Sequence, residues 1–205
     1  MDRDAFLDRL AARSGRPRGA PLPPVPRLES RVARAEEDGD VLVRRFVERL
    51  RDVGGDASVV ADRAEAQAAV ARLLTERQPG SLACPPALRW PEVEAMCSAD
   101  FASAVFGLSE PRWAVAETGT VVLWNDSETP RAVSLLPSAV GFLLPASRIV
   151  ARLDDVLREI SDGGQDVPAC ITFVTGPSRS MDIGYVSCVG VHGPGQTTVW
   201  ILADE

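Results

Sequence analysis

The chain has 205 residues, 45% of them apolar and 25% charged, within the ordinary range for a globular domain that can bury one core. All 22 of its cationic side chains are arginine and it has one histidine, His192, which excludes Schiff-base lysine chemistry, a P-loop nucleotide site and a histidine-rich metal centre. The net charge of −7 divides unevenly, +3 over residues 1–51 and −10 over the remainder, so the acidic body is a poor match for nucleic acid.

In chain order, residues 4–12 place Phe6, Leu7 and Leu10 at helical spacing, and five prolines between Pro17 and Pro26 then enforce an extended linker. Residues 1–28 thus form an arm, which can pack on the body or on another subunit. The acids at positions 2, 4 and 8 and the lack of an apolar core segment do not read as a secretory signal. No apolar run approaches the ~18 residues of a membrane span. These features predict a cytoplasmic protein with reduced thiols.

The body, residues 29–205, alternates helix-like and strand-like segments. Val43, Phe46, Val47 and Leu50 line one face of a helix that stops at Gly54 and Gly55. Ala57–Ala61 is fit for a buried strand, and Ala64–Leu74 for a helix capped by Asp62. Short apolar runs recur at 82–84, 103–108, 113–116, 120–124, 139–144, 170–174 and 198–202, with a further helix near 151–160. Short runs buried on both faces and alternating with helices predict an α/β fold with a largely parallel sheet.

Three segments carry chemistry that a scaffold does not require. Glu117-Thr118-Gly119-Thr120 lies between two apolar runs, and reads either as a cleft-lining carboxylate with hydroxyls or as a hairpin turn with Gly119 at positive φ. Thr175-Gly176-Pro177-Ser178-Arg179-Ser180-Met181-Asp182 follows a strand-like run. It has the make-up of a helix N-terminus aimed at an anion, with Arg179 as a bidentate cation; the alternative is plain capping, with Asp182 paired to Arg179. Gly190-Val191-His192-Gly193-Pro194-Gly195 sets the sole imidazole in a turn whose glycines admit a close backbone or ligand. No G-x-S-x-G supports Ser-His-Asp catalysis. The cysteines, Cys84, Cys97, Cys170 and Cys188, include no C-x-x-C, and Cys84 and Cys170 read as core residues without a cationic setting. The four tryptophans read as packing.

Taken in order, AETGT at 116–120, TGPSRSMDI at 175–183 and GVHGPG at 190–195 resemble the LUD domain of the lactate utilization protein C family. The resemblance implies a three-layer α/β/α fold similar to the superfamily of 5-formyltetrahydrofolate cyclo-ligases, ribose-5-phosphate isomerases and CoA transferases. It also implies an accessory role in oxidising L-lactate to pyruvate beside iron–sulfur partner proteins, with no cofactor in this chain. In that reading Arg179 holds a small anionic metabolite, the Gly176–Ser180 amides donate to it, and Glu117 and His192 handle or orient protons. Thr118, Gly119, Thr120, Gly176, Ser178, Ser180, Asp182, Gly190 and Gly193 complete the pocket. The family's pattern ends in a glutamate where this chain has Gly184. Two other readings are a stand-alone acyl-transfer or sugar-phosphate-isomerase enzyme using Glu117, and a metabolite-sensing module.

Overall fold

The computed structural model describes residues 2–21, 38–76, 81–98, 100–162, 167–180 and 188–205. They fall into two units, Met1–Glu36 and Glu37–Glu205. The first contains helix α1, Arg3–Ser14, which ends where Gly15 turns left-handed at φ 65°. Arg18 returns to pair with Asp4 and Asp8 of that helix. Most of the proline run, and the expected start of the body at residue 29, lie outside the described residues.

The second unit runs α2 (Gly39–Asp52), β1 (Asp56–Val60), α3 (Arg63–Glu76), β2 (Leu82–Ala83), α4 (Pro91–Glu94), β3 (Phe106–Ser109), β4 (Trp113–Val115) and β5 (Thr120–Asn125). It continues through α5 (Ala132–Leu135), β6 (Ala139–Pro145), β7 (Ile149–Val150), α6 (Leu153–Asp162), β8 (Cys170–Val174), β9 (Arg179–Ser180), β10 (Cys188–Val189) and β11 (Gln196–Leu202). Five strands form a wholly parallel sheet in the order β1-β11-β6-β3-β2.

Two-residue periodicity divides the central strands between two cores. Ala139 and Leu143 of β6, with Trp200 and Leu202 of β11, meet Val70 and Leu74 of α3 on one face. Val140, Phe142 and Leu144, with Val199 and Ile201, meet Phe46 and Leu50 of α2 on the other. That is why β6 is buried along all seven residues: a strand covered on both faces has no polar side to show. The protein is therefore α/β with a largely parallel central sheet and helices on both faces.

The second face carries more than a helix. A four-stranded sheet, β7-β4-β5-β8, with antiparallel pairs β4–β5 and β5–β8, packs Ala114, Val121 and Leu123 into the α2 core. Its outer side is covered by Val156 of α6, against Val115 and Val122. The apolar runs mark β4, β5 and β8, and the tight turn between β4 and β5 makes that pair antiparallel.

Candidate functional site

The first motif is that turn. Val115 pairs with Thr120, and the Gly119 amide donates to the Val115 carbonyl at 3.0 Å, closing a hairpin over residues 116–119. Gly119 has φ +66° and is buried on α2, where a Cβ would lie 2.3 Å from the Leu50 nitrogen. No other residue type fits a left-handed turn pressed against a helix backbone. The turn presents its hydroxyls in a row. Thr118 Oγ1 lies 2.7 Å from Thr120 Oγ1, which lies 2.8 Å from Thr175 Oγ1 at the start of the second motif. Glu117 is exposed and its amide donates to Ala151 O at 3.1 Å.

The second motif does not open a helix at the residues the sequence suggests. After Gly176, buried against Val53, the chain passes Pro177 and enters β9, where Arg179 pairs with Val189 and Ser180 with Cys188 of β10. Antiparallel pairing occupies backbone groups that a helix N-terminus would have left free. The Ser178 amide donates to Pro194 O at 2.8 Å, and Ser178 O accepts from the Gly190 amide at 2.9 Å. The expectation that the Gly176–Ser180 amides form an anion cradle is thus corrected at Ser178, whose N–H is already used. Asp182, with Met181, Ile183 and Gly184, lies outside the described residues.

Those two Ser178 bonds also fasten the third motif to the second. Gly190 is left-handed at φ 78°, and Gly193 faces Ser178. Gly195 donates to Ser138 O at 2.8 Å, immediately before β6. His192 is exposed in this turn. The structure therefore joins the first motif to the second through threonine hydroxyls, and the second to the third through backbone bonds. No hydrogen bond or ion pair links Glu117, Arg179 and His192 to one another.

Arg179 is the charged member of the assembly. Its guanidinium lies over Gly54 in the α2–β1 turn, where a Cβ would fall 2.3 Å from Nη2. It is exposed, and among the described residues no carboxylate pairs with it. Gly54 was legible in the sequence only as a helix stop; the space it leaves for Arg179 depends on residues 125 positions apart in the chain.

Open α/β sheets gather ligands at the carboxyl ends of their strands, whereas Gly54 and Gly195 precede β1 and β11, at the amino ends. The carboxyl ends hold a different cleft of about 300 Å³, lined by Arg63, Glu110, Arg112, Trp124 and Arg148 among others. Sequence reading passed over it. Arg63 bonds Glu110 at 3.0 Å and forks onto Glu205 at 2.6 and 2.9 Å, and Arg148 bonds Glu110 at 2.8 Å. Arg112 lies over the rings of Trp113 and Trp124 at 5.5 and 6.0 Å. Its members are scattered along the chain and share no local pattern; only the rule about strand ends points there. Because Arg63 and Arg148 are neutralised by Glu110 and Glu205, this cleft has less cationic field to offer than its arginines suggest.

A family model described as "LUD domain" matches residues 87–202, a stretch that contains all three motifs. Lactate utilization protein C 1 of Bacillus mycoides is 44% identical over 106 residues, 50% of this chain and 45% of that protein. Lactate utilization protein C of Bacillus subtilis is 39% identical over 102 residues, 48% of this chain and 42% of that protein. The match thus spans less than half the length of these curated relatives. A crystal structure of a DUF162 family protein from Deinococcus radiodurans has the same fold, with a TM-score of 0.58 at 20% identity, covering 82% of this chain and 99% of that one. No described helix is long and apolar enough to cross a membrane.

Proposed function

Because the chain belongs to the LUD domain family, we propose that it serves the utilisation of L-lactate or a related 2-hydroxy acid, as an accessory subunit that holds a small carboxylate beside iron–sulfur partner proteins. The observation that carries this is Arg179. A guanidinium without a counter-charge among the described residues, held over Gly54 and beside two interlocked glycine turns, offers a planar fork to a carboxylate. The names of the relatives supply the substrate class, and the chain's cysteine spacing leaves electron carriage to partners.

Thr118, Thr120 and Thr175 supply a line of hydroxyls near the same segment, able to donate to the hydroxyl or carbonyl oxygen that a 2-hydroxy or 2-oxo acid carries beside its carboxylate. The stand-alone enzyme reading gains nothing from Glu117, since a carboxylate open to water lacks an enclosed setting for proton abstraction.

Titration of the full chain with L-lactate and pyruvate tests the pocket. Arg179→Ala should weaken carboxylate binding at least tenfold and Arg179→Lys should restore it only in part. Equal affinity in all three proteins rules the site out. Loss of growth on L-lactate in a strain lacking this gene, with recovery on re-introduction, tests the pathway independently.

A further inference from the structure

Cys84 and Cys97 are 13 positions apart in the sequence, and the fold brings their sulfurs together. Cys84 follows β2 directly. The Leu82 amide donates to Met96 O at 2.7 Å and the Ser98 amide donates to Leu82 O at 2.9 Å, so Cys97 sits beside β2 as a parallel bridge. These bonds shut the base of the 85–96 loop, which contains α4. The two Sγ atoms lie 3.1 Å apart, both as free thiols. A disulfide requires them to close to ~2.05 Å, a shift of about 1 Å between side chains already in contact.

The two thiols differ in access. Cys84 is 1% exposed, within a core of Leu82, Leu88, Trp90 and Val93. Cys97 is partly exposed and can meet a small reagent. Arg89 acts on the Cys84 thiol in the direction of the thiolate, while burial and the Cys97 thiol act more strongly against it.

We propose that Cys84 and Cys97 form a redox-active dithiol that low-molecular-weight disulfides convert to an intramolecular disulfide. The Cys97 thiolate attacks one sulfur of the reagent and expels the other as a thiolate, leaving a mixed disulfide on Cys97. The Cys84 thiolate then attacks Cys97 Sγ, forming the Cys84–Cys97 bond and expelling the second reagent thiolate. The two cysteine protons end on the two released thiols; the protein pair loses two electrons and the reagent disulfide gains them. Closure staples the end of β2 to the segment after α4. The loop between them includes Pro85, Ala87 and Leu88, one wall of the carboxyl-end cleft.

The test is incubation of the reduced full chain with glutathione disulfide, followed by alkylation, intact mass and peptide mapping. The expected product has lost two hydrogen masses, carries no glutathione, contains a Cys84–Cys97 peptide and has Cys170 and Cys188 alkylated. A Cys170→Ser/Cys188→Ser double variant should give the same product, whereas Cys97→Ser, with its fold checked by circular dichroism, should give none. Persistence of four free thiols, a stable glutathione adduct on Cys97 without closure, or pairing of either residue with Cys170 or Cys188 would overturn the proposal.

Discussion

Thr120 Oγ1 lies 2.8 Å from Thr175 Oγ1, so the last residue of the first motif and the first of the second share a hydrogen bond although 55 positions separate them. The bond continues the β5–β8 pairing by one step, since Val121 and Val174 are register partners. Thr120 is 6% exposed, and its hydroxyl also bonds Thr118. Thr120→Val should therefore cost about 1 kcal/mol. Thr175→Val, at an exposed position, should cost less. A double-mutant cycle by urea denaturation should show coupling of about 0.5 kcal/mol or more. Strict additivity would mean that the two motifs abut without supporting each other.

Gly119 fixes where that hydroxyl row stands relative to α2. A substituent there meets Leu50 N at 2.3 Å and Arg49 C at 2.7 Å, backbone atoms that cannot rotate away, in a left-handed conformation. Gly119→Ala combines the left-handed cost of about 1–2 kcal/mol with overpacking of a similar size. The expected loss is about 3 kcal/mol in chemical denaturation, with the carboxylate affinity reduced in whatever fraction stays folded. A loss below 1 kcal/mol would show that the hairpin can lift from the helix.

Much of this arrangement was legible in the chain. The runs at 120–124, 139–144 and 170–174 coincide with β5, β6 and β8 to within about one residue, because burial on one or both faces imposes apolar character directly on the strand. Gly119 was readable as a positive-φ turn for a similarly local reason. The Ser178–Arg179–Ser180 segment was not. A proline after a glycine is compatible with a helix start or with a strand entering a hairpin, and the choice is made by β10, a partner of two residues whose identity no local pattern announces. The ion pairs of Arg63 depend likewise on Glu110 and Glu205, 47 and 142 positions away. Side chains gathered at strand ends by sheet order leave no periodic trace.

That Arg63 network gives a pH signature. Hydrogen bonding from the Arg63 guanidinium holds the Glu205 carboxyl below its ordinary value. A folded-state value depressed relative to the unfolded chain contributes stability above the unfolded value of about 4.3, and that contribution is lost as pH falls through the lower folded value. Glu205→Gln should therefore be less stable than the wild type at pH 6–7 by a salt-sensitive margin, since the pair is partly exposed and screened. The margin should shrink below about pH 4 and vanish on further acidification. A margin independent of pH between about 3 and 7 would assign the Glu205 effect to packing rather than charge.

The thiol pair offers a kinetic counterpart. Burial, reinforced by the neighbouring Cys97 thiol, pushes the Cys84 thiol up to about 12, and Arg89 acts in the opposite direction. At pH 7–9 the thiolate fraction of such a group rises about tenfold per pH unit. If attack by Cys84 limits closure, the rate of disulfide formation with glutathione disulfide should rise with that slope over the whole interval. An exposed thiol of ordinary pKa, about 8.5, instead levels off near pH 9. Arg89→Gln removes a cation that favours the Cys84 thiolate and should slow closure several-fold at pH 8, without altering which residues pair. Arg89 is exposed, so the substitution should leave the thermal unfolding midpoint nearly unchanged. A closure rate that rises more shallowly with pH and ignores Arg89 would place the slow step at Cys97 instead, where the incoming reagent first has to reach a half-buried sulfur.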